Sequence, residues 1–452
     1  MTANSSTEES ADPESFGGDT IPKTDRPMLR RITVSATTGS LIEYFDLAVY
    51  GSFAALMAKV FFPAGDATTG LLNTFAVFAL AFVARPIGGL FWGPLGDRIG
   101  RKRTLVAIIV LMAIATAGVG VLPSYASAGI WAPILLVVLR FVQGISAGGE
   151  FPGAATFVGE HSGHERRGLQ TSFLMWGVTF GQIVGLLVAT LMFTVLSADD
   201  MLSWGWRLPF LLGLPLGAVG LYIRSRVSES PEFRKVEQSL VKLEHPLKAI
   251  LGNAQGWRML GKAFLFFLPF GFTGYMLATY MPAYLTTSLH LNSGQALLAV
   301  AAAVIVAMVV QPVAGHLSDR FGRRPVLFSA CVIEIALAFP AFALLQSGHG
   351  SGGVLVPALG LILLGILHGA VTGQATAPAL EAFPTRYRYS GFALALGIIS
   401  AFFGGPTPYI ATWLVSVTGS GYAPAWLLIA SAVPSLIACF FMKETAKRPL
   451  DA

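Results

Sequence analysis

Residues 93–105, GPLGDRIGRKRTL, recur later in the chain as residues 315–327, GHLSDRFGRRPVL. Seven of the thirteen positions are identical, at a constant offset of 222 residues. Each copy follows the second long apolar run of its half of the sequence. The repeat therefore predicts two equivalent halves. Two six-span bundles related by an axis along the membrane normal form a known architecture, in which a small molecule binds between the halves.

The apolar residues are grouped in long runs. The 452 residues are 54% hydrophobic and 12% charged, whereas soluble domains carry about 25% charged residues. A run of about 20 residues crosses roughly 30 Å of hydrocarbon as a helix. We therefore predict an all-α membrane protein with twelve transmembrane helices in two six-helix bundles. The predicted spans lie near residues 33–60, 70–96, 104–121, 130–156, 169–194, 206–226, 262–287, 295–317, 326–346, 353–379, 390–416 and 422–442.

Positive charges are concentrated on one side of the predicted membrane. Of the thirty Lys and Arg residues, twenty-six lie in or beside the two tails and the loops after spans 2, 4, 6, 8 and 10. Because positively charged loops remain in the cytoplasm, both termini are expected there, in a multi-pass protein of the bacterial plasma (inner) membrane. This distribution accounts for the net charge of +6 without a nucleic-acid partner.

Composition divides the chain into five segments. Residues 1–30 are predicted to be a disordered cytoplasmic tail because they are rich in Ser, Thr, Asp and Glu. The two bundles are expected at 31–226 and 262–442, followed by a cytoplasmic tail at 443–452. The linker at 227–261 is predicted to contain an amphipathic helix on the membrane surface, because leucines recur in it at steps of three and four residues. These leucines are Leu240, Leu243, Leu247 and Leu251.

The first predicted span contains two carboxylates, in residues 39–52, GSLIEYFDLAVYGS. Glu43 and Asp46 share a helix face, although each ionised carboxylate at the centre of a bilayer costs about 2.5–3.5 kcal/mol. Arg85 in span 2 and Arg140 in span 4 are expected at a similar depth, so that the four charges would cancel. Such pairs either lock helices together or take part in transport, and both interpretations remain open at this stage.

Several motifs resemble those of a known family. The GDRIGRK stretch at residues 96–102 and the RxxQG stretch at 140–144 resemble motifs of the major facilitator superfamily. Residues 43–51, 85–89 and 143–150 narrow the resemblance to the metabolite:proton symporters, and residues 275–285, 318–325 and 442–450 are similar to the proline/betaine transporters among them. The resemblance covers the chain from about residue 30 to its end. It implies a secondary transporter with no cofactor, coupled to protons.

The residues and the resemblance together suggest a role for each intramembrane charge. Asp46 is the first candidate for the proton-coupling group and Glu43 is the second. Burial raises the pKa of a carboxyl group and a nearby arginine lowers it, so a change in either can load or release a proton. Arg140 lies in the motif that the superfamily associates with proton transfer, and it is expected to tune that group. Arg85 is expected to bind a substrate carboxylate, since a guanidinium group matches it with two parallel hydrogen bonds.

Aromatic side chains suggest the chemistry of the substrate. A zwitterion such as proline or glycine betaine needs an arginine for its carboxylate and π faces for its ammonium group. The alternative is that these rings only pack, or lie at the membrane interface. The predicted substrate-binding residues are Arg85, Tyr44, Tyr50, Gln143, Trp176, Tyr275, Tyr280 and Tyr409.

The short loops on the cytoplasmic side are predicted to form a gate. The resemblance implies that their charges bridge the halves in one state and separate in the other. We expect exposed pairs there, each worth at most about 1 kcal/mol. Their other possible role is to orient the protein in the membrane. The predicted gate residues are Asp97, Arg101, Glu160, Asp319, Arg323, Glu381 and Arg386, with Arg166, Arg167 and Arg388 close to them.

The sequence thus predicts a transporter that imports a small carboxylate-bearing solute, such as proline or glycine betaine, by proton symport and alternating access. Uptake of a dicarboxylate, tricarboxylate or aromatic acid is the alternative within the same family. A channel is disfavoured by the duplicated gate motifs. A hydrolase is disfavoured because the GISAG stretch at residues 144–148 lies within an apolar helix, not after a strand.

The expected partners are the solute, protons and the lipid bilayer, and the chain is expected to act as a monomer. Cys331 and Cys439 lie within apolar runs, and no Cys/His cluster has the spacing of metal ligands. Neither a metal nor a cofactor is therefore predicted.

Overall fold

The computed structural model describes residues 40–63, 65–99, 101–225, 250–347, 355–384 and 388–450, and the regular elements in these ranges are helices. The N-terminal half contains α1 (Ser40–Ser52 and Ala54–Phe61), α2 (Ala67–Ile99), α3 (Arg101–Gly120), α4 (Trp131–Ala147 and Glu150–His161), α5 (Arg167–Val195) and α6 (Arg207–Leu211 and Gly213–Ser225). The C-terminal half contains α7 (Ala254–Thr287), α8 (Ser293–Phe321), α9 (Arg323–Gln346), α10 (Leu355–Glu381), α11 (Arg388–Thr418) and α12 (Ala423–Phe441).

Each predicted span overlaps one of these twelve helices, and the predicted fold class is confirmed. Within the described ranges, nine helices are long and apolar enough to cross a membrane by themselves, and the bent α1 would be a tenth. The two others fall short for local reasons. The apolar part of α3 is limited to Val106–Gly120, and α6 is interrupted between Leu211 and Gly213.

The predicted tail at 1–30 and most of the predicted linker at 227–261 lie outside the described residues. The helix α7 begins at Ala254, inside the range predicted for the linker. Asn253 precedes it, and its side chain accepts a hydrogen bond from the Gly256 backbone N–H, as is usual for an N-terminal cap. The domain boundaries remain a prediction.

The interface between the halves has the symmetry that the repeat predicts. The helix α5 packs along α8 and α10, and at the corresponding place α2 packs along α11. Inside the N-terminal half, α2 and α4 approach closely at Gly144, where an added Cβ would collide with the Ala81 carbonyl group. Small residues at such crossings allow helix backbones to come together in a membrane. The close contact continues one turn further on, where a Cβ added at Gly148 would collide with the Arg85 carbonyl group.

The helix α1 bends by 72° between Ser52 and Ala54. The Ser52 hydroxyl donates to the Ala48 carbonyl at 2.7 Å, a contact that often bends helices. One residue earlier, Gly51 lies against α7, and a Cβ added there would be 2.7 Å from the Thr279 Cα atom. The bend thus places α1 directly against the other half of the molecule.

The outer surface of both halves is apolar. Large exposed hydrophobic side chains occur along most of the helices, which is the pattern of a surface that faces lipid rather than water. Examples are Leu90, Phe91, Ile114, Val138, Leu191, Val309, Phe402, Trp426 and Phe441.

Candidate transport site

The two carboxylates of α1 each pair with an arginine of the same half. The first pair joins Glu43 to Arg85 of α2, with 2.5 Å between a carboxylate oxygen and a guanidinium nitrogen. The Arg85 guanidinium also lies 4.0 Å above the centre of the Phe82 ring. Tyr44 and Tyr275 are close enough to Arg85 to interact with it electrostatically. A neutral ion pair with aromatic neighbours therefore lies where α1 and α2 meet α7.

The second pair is more enclosed. Asp46 accepts from Arg140 of α4 at 2.5 Å, and both side chains are 1% exposed. Gln143 donates to the other oxygen of Asp46 at 3.1 Å and also to Thr116 of α3 at 2.8 Å. The Tyr50 ring lies 3.9 Å below the Arg140 guanidinium. This pair ties α1, α3 and α4 together.

A small cavity of about 10 Å³, with room for about one water molecule, lies between the two halves. Its lining contains aromatic rings, amides and hydroxyl groups, and the described residues around it include no charged side chain. The Glu43–Arg85 pair borders it through Tyr44 and Tyr275. The lining residues are Tyr44, Met175, Val178, Thr179, Gln182, Phe270, Gly274, Tyr275, Gln311 and His368.

The structure separates the predicted substrate-binding residues into groups. Arg85, Tyr44 and Tyr275 come together at the edge of the cavity. Tyr50 and Gln143 instead belong to the Asp46–Arg140 pair.

Three predicted aromatic residues lie elsewhere and do not line this cavity. Tyr280 is buried against Phe75 and Tyr284, Trp176 stacks on the exposed Phe180, and Tyr409 is 37% exposed. An aromatic residue in an apolar helix has no sequence signal for the face that it occupies, so the spacing could not separate these three from the others.

Sequence reasoning missed the polar residues contributed by α5, α8 and α10. Gln182 and Gln311 lie in the middle of apolar helices, and a polar residue isolated among apolar ones in a span is the signal that could have identified them. His368 contacts the Thr273 hydroxyl with 3.1 Å between the ring nitrogen and the oxygen. Gln311 donates to Thr179 of the other half at 2.8 Å.

Charged residues also join the halves at the face that carries the repeated motif, here called the motif face. Arg167 at the start of α5 pairs with Glu381 at the end of α10 at 2.7 Å. The symmetry-related ion pair joins Arg388 at the start of α11 to Glu160 in α4 at 2.9 Å. Each half thus supplies the carboxylate of one pair and the arginine of the other.

The second copy of the motif lies at the centre of this network. Asp319 accepts from the backbone N–H groups of Gly168 and Leu169 at 2.8 and 2.7 Å. It therefore caps the N-terminus of a helix in the opposite half, where a negative charge is favoured. Arg323 pairs with Asp319 at 2.7 Å and with Glu381 at 3.1 Å.

These gate pairs were expected to be exposed, and that expectation was wrong for most of them. The side chains of Arg323, Asp319, Arg167 and Glu381 are at most 5% exposed, and only Glu160 is open to solvent, at 28%. Removing one partner of a buried ion pair costs about 3–5 kcal/mol, well above the roughly 1 kcal/mol of an exposed pair. Of the other predicted gate residues, Arg386 and the side chains of Asp97 and Arg101 lie outside the described part of the chain.

The segment after α12 reaches back to the motif face. Glu444 accepts from the backbone N–H groups of Arg323 and Arg324, at 2.9 and 3.1 Å, and Thr445 donates to Glu381 at 2.6 Å. Burial raises the pKa of Glu444, but backbone donors outweigh it and the pKa lies below its ordinary value. Nothing in the sequence pattern predicted this contact.

The halves also touch on the opposite side of the cavity. There α1 meets α7 at Gly51 and Thr279, and the Phe75 ring of α2 lies 6.5 Å from that of Tyr280. Contacts therefore close the interface both above and below the cavity.

Two symmetric helical bundles with buried ion pairs beside a shared cavity define a membrane transporter. The sequence profile described as Major Facilitator Superfamily matches residues 36–406 and 271–451, and the chain belongs to this superfamily.

Curated relatives are similar over almost the whole chain. A proline/betaine transporter of Salmonella typhimurium is 40% identical over 94% of this chain and 86% of its own length. A glycine betaine/proline/ectoine/pipecolic acid transporter, OusA, of Dickeya dadantii is 40% identical over 96% and 87%. The protein is therefore a transporter and not an enzyme.

Solved structures support the fold. The crystal structure of a D-xylose-proton symporter aligns with a TM-score of 0.72 at 21% identity, over 93% of this chain and 99% of that chain. At this identity the likeness concerns the fold alone.

Proposed function

We propose that this protein imports a small zwitterionic solute, such as proline or glycine betaine, together with protons by alternating access. The observation that carries the proposal is the buried Glu43–Arg85 pair beside the cavity between the halves. The carboxylate of a zwitterion can pair with Arg85, and the rings of Tyr44 and Tyr275 suit its ammonium group. The relatives named as proline and betaine transporters support the same class of solute.

Binding at this pair would couple the solute to a proton. When a substrate carboxylate takes the guanidinium of Arg85, Glu43 loses its counter-ion in a site shielded from water. A buried charge without a partner is expensive, and protonation removes it. Asp46 keeps a second donor, Gln143, in addition to Arg140. We therefore place Glu43 ahead of Asp46 as the group that takes up the proton, which reverses the order expected from the sequence.

In alternating access, the two faces of the protein that are closed in this structure would open in turn. In this proposal the motif face is cytoplasmic, with both termini on that side of the plasma (inner) membrane, and the chain acts as a monomer. The pairs Arg167–Glu381 and Arg388–Glu160 would separate when that face opens, and entering water would hydrate the freed charges.

A dicarboxylate is disfavoured as the substrate. It would need unpaired positive charge, and both arginines buried in the middle of the N-terminal half, Arg85 and Arg140, already have carboxylate partners in the described structure.

The test is uptake into proteoliposomes that contain the purified protein. With an imposed pH gradient, acid outside, labelled proline or glycine betaine should accumulate against its own gradient, and an uncoupler should abolish this. Unlabelled citrate and 2-oxoglutarate should not compete. Accumulation of a dicarboxylate in preference to both zwitterions would overturn the substrate class, and accumulation driven only by sodium would overturn proton coupling.

A further inference from the structure

Gln311 of α8 lies in the wall of the cavity with an unused hydrogen-bond acceptor. Its side chain is 1% exposed, and its Nε2 donates to the hydroxyls of Thr179 at 2.8 Å and Thr372 at 3.1 Å. Its Oε1 is buried and has no hydrogen-bond partner in the described structure.

The surroundings account for the orientation of this amide. A threonine hydroxyl has one proton to donate, and Thr372 uses it on the backbone carbonyl of His368 at 2.8 Å. Toward Gln311, Thr372 can therefore only accept, which requires the amide nitrogen on that side. The oxygen is left as the unpaired group of a residue that lines the cavity.

A buried acceptor that stays unpaired is costly, so a site that contains one favours a ligand that supplies the donor. Tyr275 borders the same cavity from α7, on the side of Tyr44 and Arg85. The cavity thus offers an amide oxygen on the wall that α8 contributes, opposite the half that supplies the Glu43–Arg85 pair.

We propose that Gln311 Oε1 accepts a hydrogen bond from an N–H group of the transported solute, and that it thereby sets the preference among zwitterions. This inference rests on the proposed function, because it concerns the same site. A secondary ammonium group such as that of proline has two N–H donors, whereas a quaternary ammonium such as glycine betaine has none. Gln311 would therefore favour solutes of the first kind and contribute nothing to binding of the second.

The experiment compares three solutes that share one ring and carboxylate but differ in N–H donors. Proline has two, N-methylproline has one and N,N-dimethylproline has none. Their half-saturating concentrations for uptake are measured in proteoliposomes for the wild type and for Gln311→Met, which keeps the length of the side chain but removes the acceptor. The variant should bind proline about tenfold more weakly, equivalent to about 1.4 kcal/mol, and N,N-dimethylproline within twofold of the wild type.

A matched control is Gln374→Met in α10. Gln374 is also 1% exposed, its amide donates within its own helix to Val371, and it does not line the cavity. This variant should leave the ratio between proline and N,N-dimethylproline unchanged. Size-exclusion chromatography of each purified variant reports whether it has folded.

The outcomes are distinct. An equal loss for all three solutes in folded Gln311→Met would overturn the inference, because the residue would then act on the carboxylate or on packing. No change for any solute would also overturn it. If the wild type transports none of the three, the proposed function fails first and this inference falls with it.

Discussion

Glu43 and Asp46 lie one turn apart on α1, but their surroundings differ. Asp46 is held by two side-chain donors, Arg140 and Gln143, whereas Arg85 is the cationic partner of Glu43 and lies next to the cavity lining. A group that must change its protonation during each cycle is better placed where substrate binding removes its counter-ion. The contacts of the Asp46–Arg140 pair are instead those of a structural ion pair that holds the helices together.

The first prediction concerns Glu43→Gln. Because an amide cannot take up a proton, this variant should lose accumulation driven by a pH gradient but retain counterflow exchange of labelled for unlabelled solute. Both activities are measured in the same proteoliposomes.

The matched control is Glu334→Gln. Glu334 is also a buried acid, fully enclosed in α9, with both oxygens unpartnered in the described structure. Glu334→Gln should still accumulate the solute when a pH gradient is imposed. Undiminished pH-driven accumulation by Glu43→Gln would contradict the assignment.

The second prediction concerns the Asp46–Arg140 pair. Asp46→Asn leaves a buried guanidinium without its counter-charge, which should lower the free energy of unfolding by about 3–5 kcal/mol. The double variant Asp46→Asn with Arg140→Gln is neutral and should recover most of that loss. Thermal unfolding in detergent measures both. If the double variant is no more stable than Asp46→Asn alone, charge balance is not the purpose of the pair.

At the scale of elements, α9 takes its N-terminal cap from a distant segment. It begins at Arg323, directly after Gly322, whose φ of +108° lies in the region that only glycine adopts easily. The first backbone N–H groups of a helix have no partner inside it, and here Glu444 accepts from two of them. The segment after α12 is thereby fixed to the centre of the motif face.

The third prediction follows from the pKa of Glu444, which backbone donors hold below its ordinary value in spite of burial. A carboxylate with a lowered pKa contributes stability that is present above its ordinary pKa of 4.5 and lost as the pH falls through the lowered value. A fluorophore on Lys447→Cys should therefore show high anisotropy at pH 7 and lower anisotropy once the pH falls well below the ordinary pKa of 4.5.

The same label in Glu444→Ala should show low anisotropy throughout this range, because the cap is removed at every pH. High anisotropy of the alanine variant at pH 7 would show that Glu444 does not hold the segment.

The helices themselves were largely predictable, because span length and apolarity depend on composition and are local properties. The ion pairs made by α1 could also be predicted, since two acids three residues apart share a helix face and their buried charges need positive partners. The cavity lining was not. Whether Tyr275 or Tyr409 faces the other half depends on the rotation of its helix, which only the packed bundles determine. The hydrogen bonds from the Arg323 and Arg324 backbone to Glu444 join two segments far apart in sequence. Neither segment has a local sequence pattern that predicts this contact.

For the molecule as a whole, the two symmetry-related ion pairs on the motif face would act as a lock in the proposed transport cycle. Each half contributes one carboxylate and one arginine, and the burial of most of these groups means that the lock holds only while water is excluded. If the halves part as proposed, hydration of the freed charges would offset the loss of the ion pairs and limit the free energy of opening. The carrier can therefore combine strong contacts in the closed state with a reversible cycle.

The last prediction tests this lock directly, with cysteines at Glu160 and Arg388. The charged ends of these side chains are 2.9 Å apart across the halves, so a thiol-specific cross-linker that replaces the length lost by both substitutions should join the two cysteines, while the native Cys331 and Cys439 are buried. Cross-linked protein should lose uptake because the motif face cannot open, and cleavage of the linker should restore it. It should still bind proline, measured by isothermal titration, since the cross-link leaves the opposite face free to open. Each variant with only one of the two cysteines, treated with the same cross-linker, should keep the uptake that it shows without treatment. Full uptake by the cross-linked double variant would mean that these helices need not separate during transport.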